Sequence, residues 1–400
     1  MKMKYCVYLL CIVFFITSIR CSTNESSEDF TAQTITVDPN EMNHFNYSKL
    51  FTGYELICFS GNNSAILIKP EKIVANELGY FLELSDAIYF YDKSGIFKSV
   101  INRRGTGPGE YLTISDFIID LNTNTIEIND GETKKILQFN LEGKFINEYS
   151  HHINSYSFAK ISNDKYLLNS GRLYNDNIDY SLNLFNINSK EIEFGYNAID
   201  NNLKYLNFIE YANFSHFGDT LSYSSSISNK IYSVDSAGMH ARVALDFKSN
   251  NVPIEYYERF KDLTEFISAF KKTNYVSIFD GYQESLRYMF ISYSFQNKRP
   301  FLIIDKKYNK IYNFNSYEDD LLFPSVFQKT GYDSLPCLID DHYFYVFIDS
   351  YKFIELFENL KNNISNDKYL KYIQNNSQAY NIYKNISPED NPILIKYKLN

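Results

Sequence analysis

The chain has 400 residues and a formal net charge of -9 at pH 7, with 36 tyrosines, 33 phenylalanines and no tryptophan. This acidic balance argues against DNA, RNA or an anionic lipid surface as the main partner, because each of those needs a basic patch. The length exceeds what one ordinary core needs, so internal repeats are the first pattern to consider.

The first twenty residues have the layout of a secretory signal. Lys2 and Lys4 precede an apolar run at residues 5–16 that is too short for a stable membrane span. Residues 18–21 resemble a bacterial lipobox, in which Cys21 becomes the lipidated first residue, although Arg20 replaces the usual small residue. We therefore exclude residues 1–20 from the fold and expect a lipid-anchored outer-membrane protein of the cell envelope, facing the periplasm or the surface. Ordinary secretion and an uncleaved anchor are the alternatives.

Residues 22–29 are polar and acidic and have too little apolar surface to fold alone. Residues 21–45 are accordingly assigned to a flexible tether, and residues 46–400 to the folded domain. Loss of Lys2, Lys4 and Arg20 with the signal changes the formal charge from -9 to -12.

Two cysteines, Cys58 and Cys337, remain in the folded part after the signal and the lipidated residue are set aside. In an oxidising compartment they can form a disulfide, but spacing alone cannot place their Cα atoms within bonding reach. Two separate buried thiols are the alternative. The sequence has no C-x-x-C motif, so it supports neither a redox dithiol nor a zinc knuckle.

A repeat is present. Residues 88–101, 136–149, 184–196 and 231–247 each alternate apolar and polar residues on both sides of a turn. The turn markers at positions 95, 143, 190 and 238 are about 48 residues apart, which is the size of one four-stranded propeller blade. A fifth copy follows at residues 301–314, and a sixth begins at residue 343.

These copies predict an all-β fold, a six-bladed β-propeller of four-stranded antiparallel blades, with Tyr and Phe filling the gaps between sheets. The absence of Trp argues against a WD-type repeat. A helical segment is expected at about residues 351–385, followed by a final strand at 393–399. Early strands at residues 54–59 or 65–68 would complete a blade with that last strand and remove the exposed edges.

The interval before the fifth copy contains an insertion at residues 253–273. Its apolar residues recur at helical spacing: Tyr256, Phe260, Leu263, Phe266, Ile267 and Phe270. This pattern predicts an amphipathic helix that packs on the rim of the propeller. A role in partner binding or as a lid is the alternative.

Residues 95–149 carry the most specific signature, Arg104-Gly105-x-Gly107-Pro108-Gly109-Glu110-Tyr111 followed by Ser115-Asp116-Phe117. This region resembles the second blade of the six-bladed β-propeller lipoproteins common in Bacteroidetes, which are related in architecture to NHL and TolB-like propellers. The resemblance implies a propeller shape and a place in the cell envelope. It implies no particular reaction, because that family has none established.

The glycines of this signature superficially resemble a phosphate-binding loop. Such loops need a following helix whose N–H groups face the anion, whereas here residues 112–120 alternate as a strand and Pro108 removes one donor. The loop is therefore expected to join two blades, with its turns provided by Gly105, Gly107, Pro108 and Gly109.

The same loop carries the candidate binding residues Arg104, Glu110 and Tyr111, because its path leads toward the central face of a propeller. Arg103 or Arg104 is expected to pair with Glu110 across the loop. A purely structural clasp between the two blades is the alternative interpretation.

No metal site, catalytic residue or cofactor is predicted. His151 and His152 are neighbours that would point to opposite faces of a strand, and the acidic pairs lie in turns where their side chains diverge. The function expected is a monomeric binding or scaffold module for a peptide, a glycan or an envelope protein, with no nucleic acid bound. A propeller enzyme with lactonase-like or lyase-like chemistry at the central face is the alternative.

Overall fold

The computed structural model describes residues 32–60, 69–172, 179–206, 214–225, 227–235, 238–277, 281–329 and 336–400. Within these ranges the strands form six separate sheets. Three strands come before the first blade: β1 (Gln33–Thr36), β2 (Asn43–Asn46) and β3 (Phe51–Cys58).

Blades 1 to 3 are antiparallel sheets of four consecutive strands. Blade 1 contains β4 (Lys72–Asn76), β5 (Gly79–Leu84), β6 (Ala87–Tyr91) and β7 (Phe97–Ile101). Blade 2 contains β8 (Asp116–Asp120), β9 (Thr125–Asp130), β10 (Lys135–Asn140) and β11 (Phe145–Ser150). Blade 3 contains β12 (Ser157–Ser162), β13 (Lys165–Asn169), β14 (Tyr180–Asn186) and β15 (Glu191–Ala198).

Blades 4 to 6 also receive strands from the N-terminal segment. Blade 4 contains β16 (Phe214–Phe217), β17 (Thr220–Ser224), β18 (Lys230–Val234) and β19 (Met239–Asp246), with β1 added. Blade 5 contains β20 (Tyr282–Glu284), β21 (Tyr288–Ser292), β22 (Phe301–Asp305), β23 (Lys310–Glu318) and β24 (Phe327–Lys329), with β2 added. Blade 6 contains β25 (Leu338–Ile339), β26 (Tyr343–Ile348) and β27 (Ile393–Leu399), with β3 added.

The first strand of each blade lies innermost. Contacts join β8 to β12, β12 to β16, β16 to β20, β20 to β25 and β25 to β4, so these strands surround a central channel. Tight turns between first and second strands, and between third and fourth strands, lie at one end of the ring, here called the hairpin end. The connections from one blade to the next lie at the opposite end, the crossover end. The predicted six-bladed β-propeller is confirmed.

Each gap between neighbouring blades holds one hydrophobic cluster, and six such clusters complete the ring. Between blades 1 and 2, for example, Phe81 and Phe90 stack with their ring centroids 4.4 Å apart and pack with the buried Phe117 and Phe139. A sheet with two apolar faces is stable only when both faces are covered, so each blade depends on its two neighbours.

The N-terminal segment crosses the outside of three blades in succession. β1 pairs in parallel with β19, β2 pairs in parallel with β23, and β3 pairs antiparallel with β27 to form the outermost strand of blade 6. The predicted closure by a strand at residues 54–59 is confirmed, whereas the alternative at residues 65–68 lies outside the described residues. The tether predicted at residues 21–45 is wrong from Gln33 onward, because backbone pairing to blades 4 and 5 orders a segment whose composition is polar.

The insertion between blades 4 and 5 forms two short helices, α1 (Ile254–Tyr257) and α2 (Leu263–Phe270), rather than the single predicted helix. The helix is interrupted because Asp262 caps α2, with the Glu265 N–H donating to its side chain at 2.9 Å. Tyr256 and Phe266 are buried against Leu203 in the connection that follows blade 3. The aromatic stripe therefore packs on the propeller, as expected.

The predicted helical segment is confirmed as three helices in the connection between β26 and β27: α3 (Ser350–Asn363), α4 (Asn366–Asn375) and α5 (Ser377–Asn385). Phe353 and Phe357 of α3 pack edge-on against Phe323, and the Tyr372 hydroxyl donates to the Leu322 carbonyl at 2.6 Å. These contacts hold the helices over blades 5 and 6 at the crossover end. None of the described helices is long and apolar enough to cross a lipid bilayer.

The disulfide considered between Cys58 and Cys337 is wrong, since both are free thiols. Cys58 ends the outermost strand of blade 6, while Cys337 immediately precedes the innermost one. Two strands lie between them, so three strand spacings of about 4.8 Å separate the two cysteines. A disulfide needs Cα atoms within about 7 Å of each other.

Replacing Phe45 by alanine tests whether the N-terminal segment belongs to the cooperative fold. Phe45 is buried and stacks on Phe314 of β23 with the ring centroids 4.5 Å apart. We expect Phe45→Ala to lower the free energy of unfolding by about 3 kcal/mol in chemical denaturation. The control Phe194→Ala removes a ring of β15 that is 56% exposed and should change it by only about 0.5 kcal/mol. An equal, small effect of both would contradict the role of this segment.

Candidate functional site

The loop at residues 102–115 joins blade 1 to blade 2 at the crossover end, as predicted. Glu110 folds back into the loop, where its Oε2 accepts a hydrogen bond from the Gly107 N–H at 2.8 Å. A Cβ atom on Gly105 would lie 2.1 Å from that oxygen. A side chain at position 105 would therefore displace the Glu110 carboxylate from its place in the loop.

The pairing expected between Arg103 or Arg104 and Glu110 is wrong for Arg104. Its Nη1 lies 3.1 Å from Asp86 Oδ2, in the turn between β5 and β6. The Glu110 carboxylate is bound by the backbone of its own loop, whereas the Asp86 carboxylate lies beside the guanidinium. Arg104 is mostly exposed, so it stays available as a predicted ligand contact.

Tyr111 is fully buried and fixes the position of the loop. Its hydroxyl lies 2.8 Å from the Asp86 carbonyl and 3.2 Å from the Ile101 carbonyl, and burial raises its pKa to about 12. A buried ring whose hydroxyl bonds to the backbone offers little surface to a ligand. Its position supports the clasp interpretation for Tyr111, while ligand contact by Arg104 and Glu110 remains a prediction.

Of the glycine positions in this loop, position 109 tolerates a side chain least. Its φ of +69° is in the left-handed region, and an added Cβ would lie 2.6 Å from the Phe145 ring. Its N–H donates to Glu148 Oε2 at 3.1 Å, which links the loop to the outermost strand of blade 2.

We expect Gly109→Ala to lower the free energy of unfolding by about 2 kcal/mol, because the backbone must accept a strained φ and the Phe145 ring must move. Gly53→Ala is the matched control, since no atom lies within 4 Å of the Cβ it would add. Thermal or chemical denaturation of both variants measures the difference. Equal stability of the two would show that this loop is not a rigid join.

A group of charged side chains lies next to this loop, where β4, β5 and β8 meet at the crossover end of the channel. Lys72 Nζ contacts the Asp116 carboxylate and donates to the Phe117 carbonyl at 2.7 Å. The second oxygen of Asp116 accepts from the Phe158 N–H at 3.1 Å. Asp116 of blade 2 therefore joins Lys72 of blade 1 to the first strand of blade 3.

Glu83 completes this group, and Lys72, Glu83 and Asp116 are here called the channel mouth. Glu83 is the cross-strand partner of Lys72, yet the ammonium reaches over to Asp116 instead. The side chain of Glu83 is 94% buried, since its exposure is 6%, and it has no ion pair or side-chain hydrogen bond among the described residues. Burial raises its pKa to about 8, an effect that Lys72 opposes and that Asp116, Glu71 and Asp86 reinforce. Glu83 is therefore mostly protonated at neutral pH.

Two other buried acids of this propeller, Glu284 and Glu127, pair with cations. Glu284 in blade 5 accepts from Arg242 Nη1 at 3.0 Å and from Lys306 Nζ at 2.7 Å, and it also contacts the Tyr282 hydroxyl. Lys160 of blade 3 lies 2.8 Å from Glu127 of blade 2. Both arrangements follow the rule that a buried charge needs a partner. Glu83 is different from them.

His216 of β16 lies across the ring from the channel mouth, in blade 4. Its side chain is exposed to solvent, yet the surrounding protein lowers its pKa, and the positive charge of Lys72 lowers it further. His151, by contrast, lies in the core, where Nε2 is 3.2 Å from Asn129 Oδ1 and burial lowers its pKa to about 3.

In the part of the chain that the structure describes, no group of three or more His, Cys, Asp or Glu side chains could hold a metal ion.

One internal cavity lies between blades 5 and 6. It has a volume of about 10 Å³ and is lined by apolar and aromatic side chains, among them Phe45, Tyr47 and Phe301. A space of that size is barely enough for one water molecule, so it is a packing defect rather than a ligand site.

Sequence reasoning found Asp116 only as part of the loop signature and missed Lys72, Glu83 and His216. One signal was available for Glu83, which is the acid in the otherwise apolar β5 segment GYFLEL. No pattern in one sequence marks Lys72 or His216, because these residues become neighbours of the site only when the ring closes.

The chain belongs to the family described as a domain of unknown function, DUF4934, whose model matches residues 32–398. The matched range begins where the N-terminal strands begin and includes all six blades. No curated protein sequence matches the chain significantly.

Solved structures share the fold. A putative exported protein from Bacteroides fragilis is 17% identical, with a TM-score of 0.68, and the match covers 92% of this chain and all of that one. A member of the duf4221 family from Bacteroides vulgatus is 12% identical over 88% of this chain and 97% of that one, with a TM-score of 0.43. A streptogramin B lyase is 14% identical over 60% of this chain and 67% of that one, with a TM-score of 0.32. At these identities the first similarity shows the fold alone, and the other two support no argument.

Proposed function

We propose that this protein is an exported, lipid-anchored binding module of the cell envelope, which holds a glycan, a peptide or a protein partner at the crossover end of its channel. An N-terminal signal followed by Cys21 supports the export and the anchor. We place the module at the outer membrane as a monomer, facing the periplasm or the surface.

The observation that carries the proposed binding role is the burial of Glu83 without a cation partner. Glu284 and Glu127 are buried acids that pair with cations, whereas Glu83 is buried without such a partner beside a Lys72 side chain that is 36% exposed. A buried acid without a cation partner beside an accessible charged group is a common feature of sites that a ligand completes. The exposed Arg104 and the loop at residues 102–115 border the same surface.

An enzyme is the second candidate, and the burial of Glu83, which raises its pKa to about 8, favours it. A carboxylic acid with a pKa of about 8 can donate a proton at neutral pH, which is what a general acid in lactone opening or elimination must do. The two functions differ in their products. A binding module returns its ligand unchanged, whereas an enzyme releases a new compound.

The anchor is tested with Cys21→Ala. We expect the wild-type chain to fractionate with membranes and to carry a lipid on Cys21, as measured by mass spectrometry of its N-terminal peptide. Cys21→Ala should move to the soluble fraction, because the lipid supplies the membrane affinity. Cys11→Ala is the matched control and should leave fractionation unchanged. A soluble wild-type chain without lipid would contradict the anchor.

The binding site is tested with Lys72→Ala on purified residues 22–400, using glycan and peptide arrays. Loss of a charged hydrogen-bond donor should weaken retention of the bound class by about tenfold or more. Lys98→Ala is the matched control, because Lys98 forms a similar exposed pair with Asp92, at 2.8 Å, at the hairpin end. Equal retention by both variants, with folding verified by circular dichroism, would place the site elsewhere.

A further inference from the structure

The channel mouth presents hydrogen-bond donors and an acceptor side by side. The Lys72 ammonium has three N–H bonds, of which two are directed to Asp116 and the Phe117 carbonyl. Its partial exposure leaves the third for a ligand. Asp116 accepts from Lys72 and from the N–H groups of Phe117 and Phe158, and a carboxylate has room for one more bond.

These groups carry almost no net charge. Lys72 and Asp116 neutralise each other, and Arg104 neutralises Asp86 in the neighbouring turn. The formal charge that remains belongs to Glu71, which precedes β4 and is exposed to solvent. Glu83 adds an O–H donor while it is protonated and becomes a second uncompensated negative charge when it ionises.

We propose that the channel mouth binds an uncharged glycan, with the Glu83 carboxyl group and Lys72 donating hydrogen bonds to sugar oxygens and Asp116 accepting one from a sugar hydroxyl. This inference rests on the proposed binding function and names its ligand class. The ligand then provides the hydrogen-bond partner of Glu83, because a sugar oxygen supplies the acceptor that Glu83 lacks in the free protein.

The arrangement favours a sugar over the other ligand classes. A sugar hydroxyl donates and accepts through one oxygen, so a single hydroxyl can contact a donor and an acceptor that lie side by side, whereas a peptide has its N–H donor and its carbonyl acceptor on separate atoms. An anionic ligand would be repelled by Glu71 and by the acidic net charge of the chain. A cationic ligand would be repelled by Lys72 and would require Glu83 to ionise.

The test measures binding of purified residues 22–400 to arrays of uncharged, anionic and cationic oligosaccharides and of uncharged peptides. Calorimetry then uses a matched series of N-acetylchitotetraose, chitotetraose and tetragalacturonate, together with any uncharged sugar retained on the array. We expect retention of uncharged sugars at about pH 6.5. Affinity should fall by about tenfold at pH 9, where only about a tenth of Glu83 stays protonated.

Glu83→Gln separates this inference from a structural effect, since an amide keeps a donor and stays uncharged at every pH. The variant should bind the same sugar within about threefold of wild type at pH 6.5 and should lose the decline at high pH. Glu83→Ala should lose binding at both pH values. Thermal denaturation at each pH verifies that every variant is folded.

Each remaining outcome overturns the inference. Preference for chitotetraose over N-acetylchitotetraose at pH 6.5, where its amino groups still carry positive charge, would show that the mouth binds a cation. Retention of uncharged peptides instead of sugars would assign the mouth to a different ligand class. In both cases the binding function survives, whereas retention of no array member by the folded protein would contradict the binding function as well.

Discussion

The fold depends on covering both faces of every sheet. Each blade is a small sheet whose two sides are apolar, and one cluster fills each of the six gaps between neighbours. No blade can bury its own faces, so stability requires a closed ring. Closure in turn requires β3, from the N-terminal segment, to pair with β27, the last strand of the structure.

Polar groups inside such interfaces are acceptable only when they are compensated. Glu284 with Arg242 and Lys306, and Lys160 with Asp120 and Glu127, form ion pairs that tie neighbouring blades together. At the channel mouth the single ammonium of Lys72 is directed to Asp116, and Glu83 stays protonated instead of paired. The burial that stabilises the ring thus also leaves Glu83 without a cation partner at the crossover end.

Local patterns predicted the repeating part of the fold well. The turn spacing identified the blades, and aromatic periodicity located the helical insertion at residues 253–273, because hairpins and amphipathic helices are specified by residues close in sequence. The same reasoning failed for β1 and β2. Their residues are mostly exposed and polar, and what orders them is parallel backbone pairing to strands about 200 residues or more away, which leaves no side-chain pattern.

The sequence by itself determined the class of fold and the loop that joins blades 1 and 2, because both are encoded in contiguous stretches. Only the tertiary structure decided how charges pair across that loop and which polar groups meet at the channel. Arg104 pairs with Asp86 rather than with Glu110, and Lys72 pairs with Asp116 rather than with its cross-strand neighbour Glu83. These ion pairs depend on the distances between blades, which are set only when the ring closes.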